Sequence, residues 1–251
     1  MKIAPFLTIL SHCSAIVLTG TASALTPLTD NFNAETLRLA RWKITNREGG
    51  ELAHFPGGMK FTVGSDPAQY ASGIAELRNR HPGCNESWEV IVDVVNKTNL
   101  EYRAGVGLQI CNALDARDRV NYKFNGAGLG GIGSSSGFAV TGQADDEVDL
   151  DDFDREFRLD PQVAAGSMRI TFDKKTRFFT FWYDRTGRAD GFQWMKLCNY
   201  STTGRGGYRS GNWRMNPASG RFTIQIYGYS DSCRVPAGQL KLDNFSMRNT
   251  P

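Results

Sequence analysis

The sequence predicts an all-β protein, a sandwich of antiparallel sheets, on three observations. In Ala165–Asp184, Met168, Ile170 and Phe172 alternate with Arg169, Thr171 and Asp173. Asp173-Lys-Lys-Thr176 supplies a polar turn, and Phe178-Phe-Thr-Phe-Trp-Tyr183 returns as a second β-branched and aromatic run. A strand this apolar on both faces needs cover on both sides, which places the hairpin inside a sheet packed against another sheet. The second observation is Ser87–Val95, where Trp88, Val90, Val92 and Val94 share one face and Glu89, Ile91, Asp93 and Val95 the other. The third is that no stretch carries the 3.6-residue period of a long helix.

The remaining elements follow in chain order. Leu28–Phe32 reads as a short first strand, and Asn33–Arg41 as one helical turn with Asn33 as its cap. Trp42–Thr45 is extended. Glu51–Phe55 and Met59–Val63 form a hairpin across Pro56-Gly-Gly58. Gly73–Arg78 is a strand. Gly105–Cys111 and Arg119–Phe124 are paired strands, and Gly126–Gly137 is a Gly/Ser-rich loop that lacks the strand-to-helix setting of a phosphate cradle. Phe192–Leu197, Arg221–Tyr229 and Gly238–Phe245 complete the set, with no linker that would divide it.

The 251 residues suffice for one large all-β domain. Lys and Arg total 29 against 26 Asp and Glu, a net charge of +3 scattered without basic runs, which points away from nucleic acid and from membrane insertion. Met1–Ala24 has a basic start at Lys2, an interrupted apolar run over Ile3–Leu18 and the small-residue end Ala22-Ser-Ala24. It reads as a secretory signal peptide, too short and broken to span a membrane, with residues 25–251 as the mature domain. Cys84, Cys111, Cys198 and Cys233 remain, and export would expose them to an oxidising compartment. Two disulfides are expected. Of the three possible pairings, Cys84–Cys111 and Cys198–Cys233 are preferred because each joins neighbours in chain order.

Several stretches resemble the concanavalin A-like lectin/glucanase superfamily, of the laminin G-like jelly-roll kind. They are Asp30-Asn-Phe32 followed by Trp42, Glu48-Gly-Gly50, Gly57–Phe61, Trp88–Val95, Gly166–Ile170 with Phe178–Tyr183 and Trp194, and Leu242-Asp-Asn-Phe245. The resemblance covers most of residues 28–248. It implies a two-sheet antiparallel jelly-roll sandwich, one sheet usually concave and carrying the ligand groove. It also implies neighbouring first and last strands, bringing Asp30 near Asp243.

Members of that superfamily often hold structural calcium, which needs several hard oxygens. Asp30 and Asp243 are the expected ligands, with the acidic run Asp145–Asp154 as a second possibility. For glycoside hydrolysis, Glu89 and Asp93 share a strand face but stand about 13 Å apart by strand rise, and the strand departs from the Glu-x-Asp-x-x-Glu of laminarinase-type members. For polysaccharide β-elimination, Ala75-Glu-Leu-Arg78, Gln109-Ile-Cys111 and Gln225-Ile-Tyr227 resemble alginate-lyase-like strands, though Ile74 and Cys111 stand where those carry Arg and His. Sugar binding without catalysis asks for aromatic platforms beside amides and charges. The expected ligand residues are Tyr227, Tyr229, Gln225, Gln109, Tyr122, Tyr183 and Arg78, and the expected partner is a polysaccharide or other glycan.

Overall fold

The computed structural model describes residues 25–33, 40–65, 69–100, 103–125, 137–144, 153–155, 163–205 and 210–251. Signal peptide, most of the expected helical turn, the Gly/Ser-rich loop and nearly all of the acidic run lie outside these residues. Among the described residues, fifteen strands form two antiparallel sheets.

The eight-stranded sheet runs β13 (Met195–Ser201), β12 (Phe178–Asp184), β11 (Ala165–Asp173), β6 (Trp88–Asn96), β15 (Val235–Asn249), β4 (Gly58–Val63) and β3 (Gly50–Phe55), with β1 (Leu28–Asp30) also on β15. The seven-stranded sheet runs β10 (Phe153–Arg155), β9 (Gly137–Gln143), β8 (Arg119–Asn125), β7 (Ala104–Asn112), β14 (Phe222–Asp231), β5 (Tyr70–Leu77) and β2 (Trp42–Arg47). The last two strands of the chain are thus central: β14 between β7 and β5, β15 between β6 and β4. First and last strands pair, with Asp30 opposite Phe245. β9 and β10 were not among the expected strands, and β13 starts three residues later than the sequence suggests.

The period of two explains the core. Trp88, Val90, Val92 and Val94 of β6 face inward with Met168, Ile170 and Phe172 of β11 and Phe179 and Phe181 of β12. They meet Val106, Leu108 and Ile110 of β7 and Ile224 and Ile226 of β14. Each such side chain contributes about 1.5–3 kcal/mol through burial. The Trp88 ring stacks on Phe172 and meets Phe179 and Phe222 edge-on, fixing one end of the sandwich. The β11–β12 turn closes as its sequence suggests: the Asp173 carboxylate accepts from the Lys175 N–H and its carbonyl from the Arg177 N–H, both at 2.8 Å. On the outer side of β12, cover comes from the Arg169 guanidinium over the Trp182 ring rather than from another sheet.

Candidate functional site

The candidate site lies on the outer face of the seven-stranded sheet. Ile224 and Ile226 point into the core, so alternation turns Gln225, Tyr227 and Tyr229 outward. Register extends that face sideways. Gln225 lies opposite Gln109 and Glu76, Tyr227 opposite Gly107 and Ile74, and Tyr229 opposite Gly105 and Ser72. Arg119, Asn121 and Lys123 continue it on β8. A cavity of about 480 Å3 opens there, lined by Tyr227, Gln109, Tyr70, Ser72, Ile74, Arg119, Asn121 and Lys123, with exposed Arg47 and Glu48 at the edge strand.

Tyr70 and Tyr227 line it, and the buried Tyr229 stacks on both. Tyr70 stacks on Tyr229 at 5.6 Å and 12°, and Tyr229 on Tyr227 at 6.1 Å and 26°. Gly105 permits this: a Cβ there would stand 2.8 Å from Cε1 of Tyr229. Tyr70 is 53% exposed, so one ring face remains open to solvent. The Tyr229 hydroxyl donates to Oδ1 of Asn125 at 2.6 Å, and Nε2 of Gln225 donates to Oε2 of Glu76 at 2.9 Å, locking both side chains.

Tyr227 differs from its neighbours. It is 6% exposed, and its buried hydroxyl has no hydrogen-bond partner. Burial, then the neighbouring Tyr229 and Tyr70, push it well above the ordinary phenol value against the opposing charge of Arg119. It therefore stays protonated and can donate. Nε of Arg119 is likewise buried without an acceptor. Burial also pushes the Cys111 thiol on this face up to about 12. Neither Tyr227 nor Cys111 is poised to abstract a proton near neutrality.

Of the expected ligand residues, Tyr227, Tyr229, Gln225 and Gln109 share this face. Tyr122 points inward with Val120 and Phe124, and its hydroxyl donates to the Trp182 carbonyl at 2.9 Å. Tyr183 packs inward on Phe138. Arg78 is exposed just past the end of β5 and does not line the cavity. Tyr70, Arg119, Asn121 and Lys123 take the places those three were expected to fill.

The disulfides are corrected as well: all four cysteines are buried thiols. Cys84 belongs to the core, 3.9 Å from the Met215 sulfur, whereas Cys111 faces outward on β7, so a sheet separates that pair. Cys198 is on the edge strand of one sheet and Cys233 just beyond a central strand of the other.

The expected calcium ligands do not suit a cation. The Asp30 carboxylate accepts from the Phe32 N–H at 2.9 Å and the Trp42 indole at 3.0 Å, with Arg41 at 3.5 Å. Asp243 accepts from the Asn244 N–H at 2.7 Å and lies 3.4 Å from the Lys241 ammonium. Their lone pairs face donors and positive charge, the reverse of what a cation requires. Among the described residues no three His, Cys, Asp or Glu side chains gather as a metal site.

No family model matches the chain, and no curated protein sequence matches it. Solved structures do. The metal-free lectin I-B4 of Griffonia simplicifolia aligns with TM-score 0.52 at 9% identity, over 90% of this chain and 99% of that one. The Bauhinia forficata lectin in complex with GalNAc aligns with TM-score 0.51 at 10% identity, over 90% and 99%. The potassium-bound carbohydrate recognition domain of Emp46p aligns with TM-score 0.52 at 9% identity, over 88% and 94%. The two-sheet architecture, the pairing of first and last strands and this shared topology agree: the chain has the concanavalin A-like lectin fold.

Proposed function

We propose that this protein binds glycans without transforming them, through the outer face of its seven-stranded sheet. The observation that carries this reading is one open cavity lined by Tyr70, Tyr227, Gln109 and Asn121, with the buried Tyr229 ring stacked on both tyrosines. Apolar ring faces suit the C–H side of a sugar, and planar amides suit its hydroxyls. The lectins of the same fold, one holding GalNAc, lend support at the level of architecture.

The lyase reading keeps one point in its favour, since Gln109 and Tyr227 line the same cavity. Tyr227 is however held protonated by its burial, so it offers that chemistry no ready base. Affinity gels containing a panel of polysaccharides test the binding reading. Retardation by at least one polymer, lost in Tyr227→Ala, is the expected result. Growth of ultraviolet absorbance from unsaturated ends during incubation with uronate polymers would replace it with the lyase.

We further propose that the chain is exported, with residues 1–24 removed as a signal peptide and 25–251 forming the mature domain. The basic start, apolar run and small-residue end support this. N-terminal sequencing of the product from the native source should begin near Leu25, and an intact Met1 start would refute it.

A further inference from the structure

The polar groups around the cavity are unbalanced. Arg47, Arg119 and Lys123 line it against one carboxylate, Glu48, which sits at the exposed edge. Glu76, on the same face, is engaged by the Gln225 amide. Neither Arg47 nor Arg119 forms an ion pair among the described residues. In the same lining the Tyr227 hydroxyl is buried and without an acceptor, and Nε of Arg119 lacks one too.

Two buried donors of the cavity thus lack acceptors, and two guanidinium groups lack a counter-charge among the described residues, while Gln109, Asn121, Ser72 and Glu48 supply acceptors elsewhere in the lining. A neutral sugar can pair its hydroxyls with the amides, but it brings no counter-charge to the guanidinium groups. An anionic oxygen cluster offers only lone pairs, and charge-assisted hydrogen bonds from guanidinium are roughly twice as strong as neutral ones.

We infer that the groove selects acidic glycans, seating a carboxylate or sulfate group on the sugar ring against Arg119 and the Tyr227 hydroxyl, with Arg47 and Lys123 as flanking cations. This rests on the glycan-binding reading and narrows it. Tyr227 contributes as a neutral donor, which its raised pKa preserves across the ordinary pH range. The stacked tyrosines take the apolar face of the same or the next sugar.

The test measures affinity of the full chain for four polymers: polygalacturonate, its carboxyl-reduced counterpart, dextran sulfate and dextran. Two variants probe the site, Arg119→Gln and the exposed Arg47→Gln, which carries little folding risk. Lys174→Gln, in the β11–β12 turn of the other sheet, is the charge-matched control. At least one acidic polymer should bind about tenfold or more tighter than its neutral partner. Arg119→Gln and Arg47→Gln should each weaken that binding severalfold, and Lys174→Gln should leave it unchanged. Preference for polygalacturonate identifies the anion as carboxylate, and preference for dextran sulfate as sulfate. Either supports the inference.

Equal or tighter binding of the neutral partner overturns acidic selectivity while leaving glycan binding in place. Acidic binding equally reduced by all three variants overturns it too, since that is attraction to overall charge. Retention of none of the four polymers, nor of any in the wider panel, removes the underlying reading itself.

Discussion

The outer faces of the two sheets are built from the same kind of strand but treat their polar groups differently. On the eight-stranded sheet, the two carboxylates of β6 are paired within the protein, although His54, Arg177, Asn199 and Asn249 each keep one buried polar atom without a partner. Glu89, 2% exposed, is held by Arg169 at 2.6 Å and Arg248 at 2.5 Å. Asp93 accepts from Ser167, Arg188 and Asn244. The Arg169 guanidinium is sandwiched between Trp182 and Trp194, and although its Nε lacks an acceptor, a terminal nitrogen carries the ion pair. On the seven-stranded sheet, Tyr227 and Arg119 keep donors without acceptors, and Arg47 lies free of ion pairs among the described residues. Interactions on the first face stabilise the fold. Those left unmade on the second are the ones the proposed ligand would complete.

The largest effect that would sharpen this contrast belongs to the paired face. Glu89→Ala leaves Arg169 partly buried without its counter-charge. It should cost about 2–3 kcal/mol, less than a fully buried pair because Arg248 is solvent-facing, with glycan affinity unchanged. Urea unfolding and affinity gels run side by side check it, and a drop in affinity with intact stability would break the contrast. Next comes Gly105→Ala, which drives a methyl into the Tyr229 ring and the Phe124 carbonyl. A loss of about 1–3 kcal/mol is expected, together with weakened glycan binding.

A smaller, pH-dependent effect concerns Asp184, another satisfied carboxylate of the eight-stranded sheet. Burial raises its pKa, but hydrogen bonds from Gln193, Thr186 and Gly187 outweigh that and hold it below the ordinary carboxyl value. Its contribution is therefore present above about pH 4, where the unfolded carboxyl is ionised. It fades as pH falls through the lower folded value. Melting temperatures of wild type and Asp184→Asn should differ at neutral pH and converge in acid; a gap that widens in acid would refute the assignment.

Tyr227→Phe should cost no stability, because it removes a buried hydroxyl that has no partner, and should weaken glycan binding about five- to thirtyfold. Destabilisation without loss of affinity would show that the hydroxyl serves the fold. The smallest expected effect is that of reductant. With four buried thiols and no disulfide among the described residues, dithiothreitol should leave the melting temperature unchanged.

Legibility in the sequence followed strand phase. β6, β7, β11 and β14 alternate cleanly, so their core faces, and with them Gln225, Tyr227 and Tyr229 as an outward set, were readable before any coordinates. Tyr122 shares its phase with Val120 and Phe124 and so belongs to the core, since an aromatic ring suits a core as well as a binding face. Tyr183 lies in a run aromatic on both faces, where period gives no direction. Tyr70 and Arg119 stand at strand beginnings, and only cross-strand register brings them beside Tyr227. Cysteine order along the chain carries no information about which side of a sheet each thiol faces, and that decided against the disulfides.

The placement of β14 and β15 has a consequence for biosynthesis. Each sheet is divided until its central strand arrives, and those strands are residues 222–231 and 235–249. Without them each sheet falls into a four-stranded block and a pair of strands that share no backbone ladder, and the inner faces of these blocks lack part of their cover. Closure then depends on contacts between residues far apart in the chain, the slow class of folding reaction. Until that moment the unfinished halves present open strand edges, which a chaperone would need to shield.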